Sequence, residues 1–179
     1  MLVEAGLLTP LLLLLIFGVI EMGLLFRDVV TVGAASRDGA RVAAASGDEL
    51  NADYRILQTI KTASSVISPH DVTRIDVFEA TDSSSLPTPG CRQGTPSSTV
   101  GTRCNVYTGA DFARDAGDFG CAATSPDRYW CPSVRPSSLG ALGYVGIEVW
   151  SRHQLVTGFF GRSVQLKDRT VLRIEPKRV

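Results

Sequence analysis

The chain is 179 residues long and 44% hydrophobic, which is material for one membrane-length helix and one modest globular domain. Its 18 acidic and 18 basic side chains cancel, so there is no broad electrostatic attraction to nucleic acid or anionic lipid. No phosphate-cradling glycine loop and no basic-aromatic platform is present, which argues against nucleotide and nucleic acid as partners.

The first predicted element is an apolar helix. Residues 1–26 carry Glu4 and Glu21 and no basic residue, and Ala5 to Ile20 is apolar apart from Thr9. About 20 residues at a rise of about 1.5 Å cross a hydrocarbon core of about 30 Å, so this stretch has membrane length, with Glu4 and Glu21 about 25 Å apart near the two interfaces. Pro10 costs about 3 kcal/mol in a water-exposed helix, and each of Gly18, Gly23, Gly33 and Gly39 about 1 kcal/mol, so the helix needs lipid or neighbouring helices. The nearest basic residues, Arg27, Arg37 and Arg41, all follow it. Taken alone they place the remainder of the chain in the cytoplasm.

Helical character continues to about Ala45, giving one element on the order of 65 to 70 Å long. Ala35, Gly39, Ala43 and Gly47 recur every fourth residue and leave one face almost bare. Such a face admits another helix at close range; the competing reading of residues 29–47 is an alanine-rich helix lying on its own domain.

Gly47-Asp48 reads as a helix stop followed by an N-cap, and Leu50, Tyr54, Leu57, Ile60, Ala63 and Ile67 then repeat at helical spacing up to Ser68-Pro69. Three strands are predicted. Val72 to Ala80 has Ile75 and Val77 on one face, Tyr144 to His153 has Val145, Ile147 and Val149 inward, and Ser163 to Glu175 alternates Val164, Leu166, Thr170, Leu172 and Ile174 against Lys167, Arg169, Arg173 and Glu175. One greasy face on each strand suits a small antiparallel sheet covered by helices, an α+β plan. The expected division is an N-terminal hydrophobic helix over 1–47 and a globular head over 48–179, with a cysteine-rich insertion at about 81–143.

That insertion holds Cys91, Cys104, Cys121 and Cys131 in a stretch rich in Ser, Thr, Pro and Gly, the signature of an extracellular, disulfide-stapled region. Local pairing, Cys91 with Cys104 and Cys121 with Cys131, is favoured by spacing, although three connectivities are open. Each closed loop would contribute about 3 kcal/mol in the chain-entropy picture. No Cys-x-x-Cys pair supports zinc. The extracellular reading conflicts with the position of the basic residues, and a short basic leader removed from ahead of Met1 reconciles the two.

Other chemistry is sparse. His70 and His153 are the only histidines, and no nucleophile motif accompanies either. Asp111, Asp115 and Asp118 read as a solvated acidic turn, since their spacing is not that of an EF-hand. Tyr107, Phe112, Phe119, Tyr129, Trp130 and Phe159-Phe160 either build a small core beneath the long loop or form a sticky outer surface.

The run Val3-Glu4-Ala5, Thr9-Pro10-Leu11 and Gly18-Val19-Ile20-Glu21-Met22-Gly23 resembles the N-terminal signature of the TadE-like minor pilins, or pseudopilins, of the tight-adherence (Flp/Tad) branch of type IV pili. The family pattern is Val-Glu-Phe, Leu-x-x-Pro-Leu-Leu and Gly-x-x-Glu-x-Gly; here Ala5 stands in place of the aromatic. Thr170 to Pro176 is also similar to the closing strand of such proteins. The resemblance implies a leader cleaved by a prepilin peptidase, residence in the inner membrane as a single-pass protein, and later incorporation into an extracellular filament beside other copies or other pilin subunits. It also implies that Glu4 pairs with the N-terminal ammonium of a neighbouring subunit.

The expected function is therefore structural and non-enzymatic, a filament subunit with no cofactor, metal or nucleic acid. Its assembly residues would be Glu4, Pro10, Gly18, Glu21, Ala35, Gly39 and Ala43. The alternative is a membrane-tethered extracellular binding or adhesion module that never polymerises.

Overall fold

The computed structural model describes residues 2–157 and 161–176, and within α1 the side chains other than those of residues 2–5 and 7. The pair Phe159-Phe160 lies outside the described residues.

The predicted long helix is present as α1, Leu2–Ser46, 45 residues with Pro10 inside it. It ends where Gly47 takes a φ of +53°, a left-handed conformation that a side chain would strain. The second helix, α2, spans Ala52–Ala63. It begins later than the sequence suggests: amides of Glu49 and Ala52 bond to the carbonyls of Ser46 and Glu49, so Asp48 lies in a turn and Asn51 precedes the helix. Leu50 is consequently exposed, whereas Ile56, Leu57 and Ile60 are buried.

Four strands, one more than predicted, form an antiparallel sheet in the order β2-β1-β3-β4, with β1 Val72–Ala80, β2 Cys104–Tyr107, β3 Tyr144–Gln154 and β4 Ser163–Arg173. The added strand β2 comes from the cysteine-rich insertion. Its four residues are too few to show a period, and it is recognised only through its pairing with β1, Ile75 opposite Tyr107 and Phe78 opposite Cys104. A short helix α3, Pro89–Arg92, precedes it.

Cross-strand pairing puts Ile75 beside Val149 and Val77 beside Ile147. This face receives Val32, Ala35, Ala40 and Ala43 of α1 and Ile56, Leu57 and Ile60 of α2 in one core. Each fully buried Ile or Leu stabilises the fold by roughly 1.5–3 kcal/mol relative to exposure. α1 runs antiparallel to β3 and parallel to β4: Asp28 meets His153, Ser36 bonds to Asp168 and Thr170, Gly39 lies near Ile147, and the Ala44 carbonyl accepts from the Glu175 amide. On the opposite face Phe78 and Ala80 pack beneath Cys91 and Cys104.

The insertion is stapled locally, Cys91 to Cys104 and Cys121 to Cys131. It is also tied to α2 by a buried polar network. Asp53 Oδ2 accepts from Tyr107 Oη at 2.6 Å and Asn105 Nδ2 at 2.8 Å, while Oδ1 accepts from Arg135 at 2.5 Å. Asn105 and Trp130 bond reciprocally, backbone carbonyl to amide and carboxamide oxygen to backbone N–H. Tyr107, Phe112, Phe119 and Trp130 are buried in the main core, so these aromatics are internal rather than a sticky surface.

Candidate functional site

The feature that distinguishes this chain from an ordinary small α+β domain is how α1 divides. From Leu8 to Ile20 its large apolar side chains are exposed, Val19 at 73%. From Glu21 onward one stripe turns inward: Glu21, Asp28, Val32, Ala35, Gly39 and Ala43 are all buried. A seven-residue step from Glu21 to Asp28, then intervals of three and four residues, keep these on one side of the helix. The helix is long and apolar enough to cross a membrane, and little of its most apolar stretch is buried by the rest of the chain.

The stripe opens with two carboxylates where a soluble helix would place leucines. Both are held by the far end of β3. Glu21 accepts from the backbone amides of Val156, at 2.8 Å, and Thr157, at 2.9 Å, in the turn that follows β3. Asp28 contacts His153 Nδ1 at 2.7 Å and also pairs with Arg27 at 2.8 Å. His153 Nε2 stands 3.8 Å from Glu21, so the imidazole is enclosed between the two acids, and all three side chains are nearly inaccessible to water. The arrangement fastens the helix to the head at the point where it leaves the fold.

The residues proposed from the sequence are distributed as follows. Pro10 and Gly18 lie on the protruding half, and no atom from elsewhere in the chain comes within 4 Å of where a Gly18 Cβ would be. Glu4 is on the same half, and its side chain lies outside the described residues. Ala35, Gly39 and Ala43 have partners inside the chain: a Cβ on Gly39 would stand 2.9 Å from Ile60 Cγ1 and 3.5 Å from Ile147 Cγ2. The bare face that admits another helix thus receives this chain's own α2 and β3.

His153 and Asp28 were not legible as a pair. His153 continues the inward alternation Val145, Ile147, Val149, Ser151, and Asp28 stands seven residues after Glu21. That spacing on both elements was the available signal.

Elsewhere, Asp111 and Asp118 cap short 3-10 turns, accepting from the amides of Thr108 and Asp115, which is the acidic-turn reading. Among the described residues no group of three His, Cys, Asp or Glu side chains is placed to hold a metal. The outer face of the sheet carries Asp76 opposite Glu148, with Arg74 Nε donating to Asp76 at 3.0 Å. Burial, partly offset by Arg74 and reinforced by the Glu148 charge, pushes the Asp76 carboxyl up to about 7. Burial and the adjacent Asp53 carboxylate hold the Tyr107 phenol well above its ordinary range.

The protruding apolar helix with its Pro10 and its Gly-x-x-Glu-x-Gly run coincides with a family match: residues 1–41 fit the family model for TadE-like protein. The chain is TadE-like over this N-terminal segment. No curated protein and no solved structure matches it. TadE-like proteins are Tad pilus components, and the part of this chain that is similar to them is a helix suited by length and composition to membrane anchoring. The match ends within α1, so the sheet, the disulfides and the Asp53 network belong to a head that the family match does not cover.

Proposed function

We propose that this chain is a structural subunit of an extracellular Tad-like type IV pilus, polymerising through the N-terminal half of α1. The observation that carries this reading is the exposed apolar length from Leu8 to Ile20, continuous with a second half clamped to a disulfide-bearing head. A stretch of that kind is stable in lipid before assembly and against like helices in a filament core afterwards. Exchange between the two environments needs one covalent step, hydrolysis of the leader by a prepilin peptidase, and a supply of other pilin subunits.

Within this reading Glu4 pairs with the N-terminal ammonium of a neighbouring subunit, because a carboxylate in an apolar core requires a cation. Pro10 and Gly18 shape the packing surface of the helix. Glu21, Ala35, Gly39 and Ala43 act by seating the head on the helix at a fixed height and rotation. The test is to shear intact cells, pellet filaments and identify the N-terminal peptide of this chain by mass spectrometry. Abundance in the pellet supports the filament subunit. Retention in the membrane fraction with a basic leader attached overturns it in favour of a tethered binding module.

A further inference from the structure

The β3–β4 turn is fastened to α1 at Glu21, inside the apolar part of the helix rather than above it. From Gly6 to Phe26 Glu21 is the only charged residue, and the first exposed charge beyond it is Arg27. Arg27 is six positions beyond Glu21, about 9 Å along the helix axis. A membrane boundary set by Arg27 therefore lies on the head's side of Glu21, and whatever is bonded to Glu21 is carried to that depth.

What is bonded to it is the backbone of Val156 and Thr157. The Leu155 amide donates to the Arg162 carbonyl at 3.0 Å, so Val156 and Thr157 lie between this closing bond and α1. Val156 is 74% exposed although it is adjacent to a fully engaged amide, and Arg162 and Arg27 are exposed at the same end. Leu155 to Gly161 contains no charged residue. An exposed valine beside a membrane-length helix, with arginines on the head's side of it, is the pattern of an interfacial contact.

We propose that Val156 and Thr157, which follow β3, form a second membrane contact, with Val156 entering the acyl boundary of the leaflet beneath the head while Arg27 and Arg162 meet lipid phosphates. The contact uses the carboxylate of Glu21 twice. It satisfies two turn amides, and it removes from lipid a charge that would otherwise be costly there. The head is thereby held down against the membrane, with one tilt, before any assembly. This inference rests on α1 spanning a bilayer.

The experiment uses the full chain reconstituted in phosphatidylethanolamine–phosphatidylglycerol vesicles whose acyl chains carry bromine, a short-range quencher of tryptophan fluorescence. Three variants are compared with the unsubstituted protein, whose Trp130 and Trp150 give the background: Val156→Trp, Phe17→Trp in the apolar span, and Leu139→Trp, which is exposed and two residues from Ser137 at the opposite end of α1. The expected result is added quenching for Val156→Trp comparable to that of Phe17→Trp, and none for Leu139→Trp. Quenching of Phe17→Trp without Val156→Trp overturns the second contact and leaves the span intact. Quenching of neither overturns the spanning reading and the proposal with it.

Discussion

The Glu21 carboxylate accepts the Val156 amide at 2.8 Å across 135 residues of chain, joining the helix that leaves the fold to the turn farthest from its own C-terminal end. Glu21→Leu strands the Val156 and Thr157 amides, and a buried donor without a partner costs about 1–3 kcal/mol. Glu21→Gln keeps an acceptor oxygen in place. Amide hydrogen exchange in micelles should therefore accelerate at Val156 and Thr157 in the leucine variant and much less in the glutamine variant. Unchanged exchange in Glu21→Leu would show that the turn is held by something else.

Gly39 separates two explanations of the small-residue face. Its Cβ position lies 2.9 Å from Ile60 Cγ1, so Gly39→Leu overpacks the α1–α2 contact by typically about 1–3 kcal/mol. The variant should melt earlier and also fail to enter filaments, because the head is no longer seated. Adding Ile60→Ala makes room for the new side chain. The double variant should recover much of both stability and assembly, whereas a face that served a neighbouring subunit would stay blocked.

Asp53 and Arg135 are both fully buried and 2.5 Å apart, joining α2 to the end of the cysteine-rich insertion. Removal of one partner leaves a buried charge uncompensated, which costs about 3–5 kcal/mol, while replacing both with apolar groups is often nearly neutral. Arg135→Met should accordingly lower the urea midpoint far more than the Asp53→Leu, Arg135→Met pair does. A double variant as unstable as the single would mean that Tyr107 and Asn105, which also donate to Asp53, depend on the carboxylate itself.

How much of this was legible follows from the range of each signal. The apolar run, the strands β1, β3 and β4 and the local disulfides are written in periods and spacings of a dozen residues or fewer, and the structure has them. The strand β2 has no period to read; it is defined by its ladder with β1, where Cys104, stapled to Cys91, stands opposite Phe78. The stripe of small residues on α1 was visible, but its occupant was not, since an alanine or glycine face accepts a helix from the same chain or from another. Ser36 and Asp168 illustrate the same limit. Asp168 interrupts the apolar alternation of β4 and is accommodated only because Ser36 of α1 donates to it from 132 residues away.

Asp76 makes one consequence of the outer sheet face measurable. Glu148 stands directly across from it on β3, Arg74 satisfies one oxygen, and Oδ1 has no partner among the described residues, so burial favours the neutral acid up to about pH 7 against an ordinary value of 3.8. The folded state then holds a proton that the unfolded chain has released. Stability conferred by that proton is full below about pH 4, declines as pH rises to about 7 at up to about 1.4 kcal/mol per pH unit, and does not change further above it. Asp76→Asn has no proton to lose. Urea midpoints of the two proteins should therefore diverge in favour of the asparagine variant across that interval and run parallel at higher pH. Parallel curves throughout would mean that Asp76 is ionised in the fold, held by Arg74 rather than governed by its burial.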